Sequence, residues 1–195
     1  MVNTLKEFED AGAILKGHFI LSSGLHSDTY MQCARALMEP SRAERLCKAL
    51  AEKVKKNVDI NKIDIVVSPA MGGVIVGFET AKHLGKPSIF CERVEGKFEL
   101  RRGFELAQGH RVLVIEDVVT TGKSSKETFD LITSLGGVVV AEAALINRSG
   151  EENPLAPVPL VTLEKLDIRT FAEDKVPAEL QKIPVTKPGS RFLKK

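Results

Sequence analysis

Cysteine is scarce in these 195 residues: Cys33, Cys47 and Cys91 are widely spaced and form no C-x-x-C pair. That spacing argues against a disulfide framework and against a zinc site, and a reducing compartment suits it. Long apolar runs are also missing. The uncharged stretch from Val66 to Phe78 is broken by Ser68, Pro69 and a glycine pair, short of the ~18 apolar residues of a membrane span. Lys6, Glu7, Glu9 and Asp10 occupy the N-terminus, where a secretion signal would need an apolar core. These absences predict a cytoplasmic protein without a membrane partner. His18, His26, His83 and His110 are too scattered for a metal set. No internal repeat, low-complexity tract or Pro-rich linker divides the chain, so a single domain is expected.

What is present is an ordinary globular composition, 43% hydrophobic and 28% charged, long enough to bury about 70% of its unfolded surface. The formal charge of +2 hides an asymmetry. The last fifteen residues hold Lys182, Lys187, Arg191, Lys194 and Lys195 and no acid, which leaves −3 for residues 1–180. A mildly acidic body carries no nucleic-acid footprint. The basic tail, residues 183–195, contains Pro184 and Pro188 and reads as a flexible terminus rather than a helix.

Apolar runs of strand length, at residues 63–68, 87–91, 111–115, 138–146 and 158–163, alternate with segments of helical period at 41–56, 73–84 and 124–135. This alternation predicts a parallel sheet with crossover helices. Ser41 is a candidate N-cap, and Gly136-Gly137 a helix stop. The first forty residues break the rhythm with a short helix at 4–11 and a turn-rich, hairpin-like stretch. They are expected to cap an α/β core spanning residues 41–166.

In an open parallel sheet, ligands bind beyond the carboxyl ends of the strands. The richest such place is R-V-L-V-I-E-D-V-V-T-T-G-K-S-S, residues 111–125. An apolar strand delivers Glu116 and Asp117, and Thr120, Thr121, Gly122, Lys123 and Ser124 then offer hydroxyls and backbone N–H groups at a helix start, a phosphate cradle. It is not a nucleotide-binding P-loop, because Asp117 stands where that motif needs glycine. Adjacent carboxylates would repel a bare anion, so they are expected to hold a ribose or a Mg²⁺-bound diphosphate attached to the phosphate. Pro69-Ala70-Met71-Gly72-Gly73 after an earlier strand reads either as a tight turn or as a second anion loop. Residues 92–102 carry four cations and three acids, a pattern that is ordinarily a solvated loop.

The segment V-L-V-I-E-D-V-V-T-T-G-K-S resembles the phosphoribosyl-diphosphate (PRPP) motif of type I phosphoribosyltransferases. G-H-F-I-L-S-S-G-L-H-S-D-T-Y-M-Q (17–32), S-P-A-M-G-G-V (68–74), L-R-R-G-F (100–104) and A-L-I-N-R (144–148) are similar to orotate phosphoribosyltransferases. The resemblance implies that family's parallel sheet with a small hood, and the joining of orotate to PRPP with release of pyrophosphate.

It further implies that Glu116 and Asp117 hold the ribose hydroxyls, that Thr120, Thr121, Gly122, Lys123 and Ser124 hold the 5′-phosphate, and that Val118 and Val119 belong to the same PRPP-binding segment. Gly72 and Gly73 would present backbone N–H groups to pyrophosphate. Arg148, with Thr120, would hold orotate, its planar guanidinium suiting a carboxylate or imide. Residues 92–102 would form a mobile lid whose Arg93, Lys97, Arg101 and Arg102 bring cations to the diphosphate. Mg²⁺ would arrive on that diphosphate without a dedicated protein metal site, and a homodimer would share the active site.

The chain departs from many orotate enzymes in having Ser22 and Gly72 where they carry lysines, and in lacking a lid histidine. His26, Tyr30 and Met31 fall near the implied base site, although structural roles suit such residues as well. A transferase acting on a purine or uracil competes with this reading, as does a nucleic-acid-binding regulator that keeps the fold as a sensor. Residues 17–32 and Arg148 weigh against the first, and the acidic body against the second.

Overall fold

The computed structural model describes residues 2–21 and 23–187. In chain order it contains α1 (Thr4–Asp10), β1 (Ile14–Ile20), β2 (His26–Met31), α2 (Cys33–Leu37), α3 (Pro40–Asn57), β3 (Ile65–Pro69), α4 (Gly72–Leu84), β4 (Ser88–Val94) and β5 (Lys97–Leu100). There follow β6 (Arg111–Val119), α5 (Lys123–Ser134), β7 (Val138–Asn147), β8 (Leu160–Lys165), β9 (Thr170–Phe171), α6 (Ala178–Gln181) and β10 (Val185–Thr186). The central sheet has the order β5-β4-β3-β6-β7-β8, parallel except for β5, which runs antiparallel to β4.

Burial on both faces explains the near-continuous apolar strands. Leu113 and Ile115 of β6 face one side, packing with Leu46, Leu50 and Val54 of α3 and Val76 and Leu84 of α4. Their alternates Val112 and Val114 face the other, with Ile65, Val67 and Ile132 of α5. α5 ends where the glycine pair predicts: Gly136 takes φ +83 and Gly137 N–H donates to Ile132 O.

Three expectations need correction. The N-cap of α3 is Glu39, with Pro40 as the first helical residue. Proline needs no hydrogen-bond partner at that position and its φ is already helical, so Ser41 lies inside the first turn. Residues 92–102 are largely a β-hairpin. Val94 pairs with Lys97 across a turn in which Glu95 and Gly96 both have positive φ, the geometry that matches strand twist. Finally, the hood is not built from the first forty residues alone. Its sheet has the order β10-β1-β2-β9, so segments from the C-terminal end flank the β1–β2 hairpin. Val185 and Thr186 therefore belong to a strand, against the flexible terminus expected from residue 183. Arg191, Lys194 and Lys195 lie outside the described residues, as does Ser22.

Candidate active site

The site lies at the carboxyl ends of β3 and β6. β6 does not stop at Ile115 but continues through the acidic pair to Val119, because its pairing with β7 continues through Glu116↔Ala144, Val118↔Ile146 and Val119↔Asn147. Glu116 and Asp117 are thus held on a strand rather than a loop. Asp117 Oδ1 accepts a hydrogen bond from the Val118 N–H at 2.8 Å. Glu116 Oε2 is buried without a hydrogen-bond partner among the described residues.

Burial raises both carboxyls above their ordinary pKa. At Glu116 the charges of Asp117 and Glu142 add to the effect. At Asp117 the Val118 N–H, the Cys33 thiol and the Arg148 charge oppose it. Two crowded acids in a poorly solvated cleft favour binding a group that donates hydrogen bonds to them.

α4 begins directly against this pair. A Cβ on Gly72 would lie 2.7 Å from Asp117 Oδ1, and one on Gly73 would lie 2.9 Å from both Glu116 Oε2 and Ile115 O. The acidic pair and the β6 backbone therefore by themselves require glycine at both positions. The same contact explains why this chain has no side chain at 72. The Ala70–Met71 peptide that leads into α4 is cis.

The loop expected to cradle the 5′-phosphate opens α5. Gly122 has φ +70, and a Cβ there would meet Leu155 Cδ2 at 2.6 Å, so glycine alone fits. Thr121 and Lys123 are exposed, and Thr120 and Ser124 half-buried. Lys123 Nζ lies 3.9 Å from Glu127 along the helix. Of the two valines expected in the PRPP site, Val119 is buried against Ala144 and Leu155 and Val118 packs on the main core. The Val119 side chain is thereby withdrawn from the cleft, and that of Val118 partly so.

Arg148 follows β7 and is half-buried, its N–H donating to Val119 O at 2.9 Å. Desolvation lowers its pKa while the nearby Tyr30, Cys33 and Asp117 favour its charge. No hydrogen bond or ion pair engages its guanidinium among the described residues. The preceding residue, Asn147, knots the following loop: Oδ1 accepts from Ser149 N–H and Oγ–H, and Nδ2 donates to Glu151 O at 2.9 Å.

The hairpin cations divide into two classes. Arg93 binds Glu127 of α5 at 2.5 Å and stacks 4.1 Å from the Phe98 ring centroid. Arg102 forms two 2.8 Å bonds to Glu92. Lys97 and Arg101 are exposed and form no hydrogen bond or ion pair among the described residues, although the Arg101 charge helps to lower the Glu92 pKa, and none of the four touches the acidic pair in this conformation.

Sequence reasoning left Cys33 unassigned and Tyr30 undecided, yet both surround Arg148 and Asp117 electrostatically. The alternation of β2, which buries Ser27, Thr29 and Met31, was the signal that Tyr30 points elsewhere. Met31 is core, 5% exposed. His26 does not join the base site. It hydrogen-bonds His18 at 2.6 Å beside a cavity of about 400 Å³ lined also by Glu173, Gln181 and Ile183.

Comparison with known proteins agrees with this geometry. The phosphoribosyl transferase domain model matches residues 36–174. Curated orotate phosphoribosyltransferases of Erythrobacter litoralis and Parvibaculum lavamentivorans are 54% and 51% identical, covering 96% and 97% of this chain and 96% of each relative. The crystal structure of orotate phosphoribosyltransferase from Aeropyrum pernix superposes with a TM-score of 0.68 at 28% identity, over 83% of this chain and 93% of that one. An adenine phosphoribosyltransferase from Thermoanaerobacter pseudethanolicus, 18% identical with a TM-score of 0.60 over 71% of this chain and 88% of its own, shares the fold. The fold and the acidic strand end define a type I phosphoribosyltransferase. The chain belongs to the orotate phosphoribosyltransferase family.

Proposed function

We propose that the cleft between the start of α4 and the end of β6 binds PRPP and orotate, and that the residues just described divide the reaction among them. The reaction transfers ribose 5-phosphate from PRPP to N1 of orotate, giving orotidine 5′-monophosphate and pyrophosphate on the route to UMP. Its transition state gathers positive charge at the anomeric carbon and negative charge on the departing diphosphate.

Glu116 and Asp117 accept hydrogen bonds from the ribose hydroxyls, fixing the sugar and favouring the positive ring. The observation that carries this role is the buried, unpartnered Oε2 of Glu116 directly beside Gly73. Thr120, Thr121, Gly122, Lys123 and Ser124 hold the 5′-phosphate at the start of α5, and the backbone of Gly72 and Gly73 faces the diphosphate. Arg148 and Thr120 hold orotate, a role that the half-buried and otherwise unengaged guanidinium supports.

The cleft offers two carboxylates, too few to cage Mg²⁺, which keeps much of its octahedral shell on water and phosphate oxygens. This donor set fits an ion that arrives on the diphosphate and there supplies positive charge to the leaving group. Lys97 and Arg101 are the lid cations free to reach the diphosphate on closure, while Arg93 and Arg102 hold the hairpin together.

The enzyme acts as a homodimer with a shared site. Beside the cleft, Met71, Ile75 and Phe78 are 83%, 52% and 64% exposed, and Ile75 and Phe78 border an apolar groove of about 310 Å³, a surface that needs covering. Three buried, unpaired thiols support a cytoplasmic setting.

Orotate absorbance followed with PRPP and Mg²⁺, beside uracil, hypoxanthine and adenine and with a chelator, tests the assignment. Mg²⁺-dependent loss of orotate alone is expected. Consumption of another base would leave the PRPP site standing and remove the base assignment.

A further inference from the structure

Glu142 is the largest fully buried polar side chain among the described residues, 0% exposed, and no part of the proposed chemistry uses it. It sits in mid-β7, flanked by Val114 of β6 and Leu160 of β8. Its Oε1 accepts a hydrogen bond from Ser125 Oγ at 2.8 Å, and its Oε2 has no partner among the described residues. Ser125 is itself 2% exposed and is the third residue of α5, so the bond ties the strand to the first turn of the helix that carries the 5′-phosphate loop.

An apolar residue at 142 would pack well, and burying a carboxyl with one hydrogen bond is costly. The groups facing Glu142 are the Ser125 hydroxyl from α5 and the Glu116 carboxylate from β6, and no cation offsets its charge among the described residues. Both observations single out the neutral carboxyl as the form the fold accommodates.

We propose that Glu142 is a positioning residue for the 5′-phosphate loop: its carboxyl anchors the first turn of α5 through Ser125 and, on ionising, weakens the hold on PRPP. Burial pushes its pKa up to about 8, so the anchor is neutral at pH 7 and charged at pH 9. A negative charge beneath the loop then repels both Glu116 and the incoming phosphate. The inference rests on the PRPP-binding reading given above.

The test measures kcat and KM for PRPP from pH 7 to pH 9, together with PRPP binding by calorimetry and thermal melting, for wild type, Glu142→Gln, Glu142→Met and Ser125→Ala. The wild-type KM for PRPP is expected to rise about tenfold across this range, the order of effect of one buried like charge on a bound anion. In Glu142→Gln, which keeps a hydrogen-bond acceptor and cannot ionise, the rise should fall below twofold. Glu142→Met and Ser125→Ala lose the tether and should raise the KM for PRPP severalfold at every pH, with kcat less affected and Glu142→Met melting no lower than wild type.

A Glu142→Gln profile that follows the wild type, or a Glu142→Met protein that binds PRPP as tightly as wild type, overturns the proposal. If Glu142→Gln does not fold, an unchanged KM in Ser125→Ala overturns it and a raised KM supports it. Wild-type protein that binds PRPP with this pH dependence but consumes no orotate would refute the base assignment and leave the role of Glu142 standing.

Discussion

Asp117 is held at three points: a backbone N–H on Oδ1, the Cys33 thiol alongside, and Gly72 pressed against it so closely that no Cβ fits. In the role proposed for it, a carboxylate constrained this way would hold the ribose without reorganising during the reaction, and such preorganisation is what makes one polar group count for several kcal/mol. Asp117→Asn preserves the shape and removes the charge. It should lower kcat/KM about 100-fold with an unchanged melting temperature, and steady-state kinetics close to wild type would remove Asp117 from the site. At this scale the sequence was informative about chemistry and poor about neighbours. The acidic pair stood out because two carboxylates end an apolar run. Cys33 and Tyr30, 84 or more positions away, carried no local signal, since only the folding of the hood over the sheet brings them to Asp117.

Among the elements, the β4–β5 hairpin shows how a charged segment can hold structure and function together. Its two anchored arginines stitch it to itself and to α5, and side chains committed to ion pairs are poor candidates for binding a mobile diphosphate. Lys97 and Arg101 are left for that role. The double variant Lys97→Ala, Arg101→Ala should lower kcat about 100-fold while changing the KM for PRPP less than about threefold, if these cations act on the departing charge. A fall in affinity with kcat intact would make the hairpin a docking surface only. The core strands and α3, α4 and α5 were legible to within a few residues because their apolar period is set by burial on one or both faces. The hairpin was hidden by its charges: β5 is an edge strand with Lys97 and Glu99 on its exposed face, and edge strands carry charge to avoid further pairing.

For the whole molecule, the apolar surface of Met71, Ile75 and Phe78 lies next to the cleft, so a partner covering it would also stand beside the active site. Phe78→Glu should convert a dimer to a monomer in sedimentation experiments, with activity falling in parallel if the site is shared. A wild-type protein that sediments as a monomer would dismiss the shared site.

Global stability also depends on the buried acids. Glu142, with a folded pKa of about 8, keeps its proton when folded and loses it near pH 4.3 when unfolded. Its raised pKa makes the unfolded state bind fewer protons through this window, so stability falls as pH rises from about 4.5 to about 8, by an amount on the order of a few kcal/mol. Glu116, shifted in the same direction, adds to the trend. Glu142→Gln should therefore gain stability over wild type progressively between pH 5 and pH 8 in denaturant titrations, and a constant difference would refute the shift.

By itself the sequence determined the α/β alternation, the glycine loops that open α4 and α5, and the acidic pair, because strand burial, helix period and glycine placement are local consequences of neighbouring residues. Tertiary structure alone decided that β6 runs through the acidic pair, because that depends on how far β7 pairs with it. It decided that β9 and β10 complete the hood across more than 140 residues of chain. It also decided that Glu142 lies sealed beneath α5, since a carboxyl's surroundings are set by which helix packs over its strand.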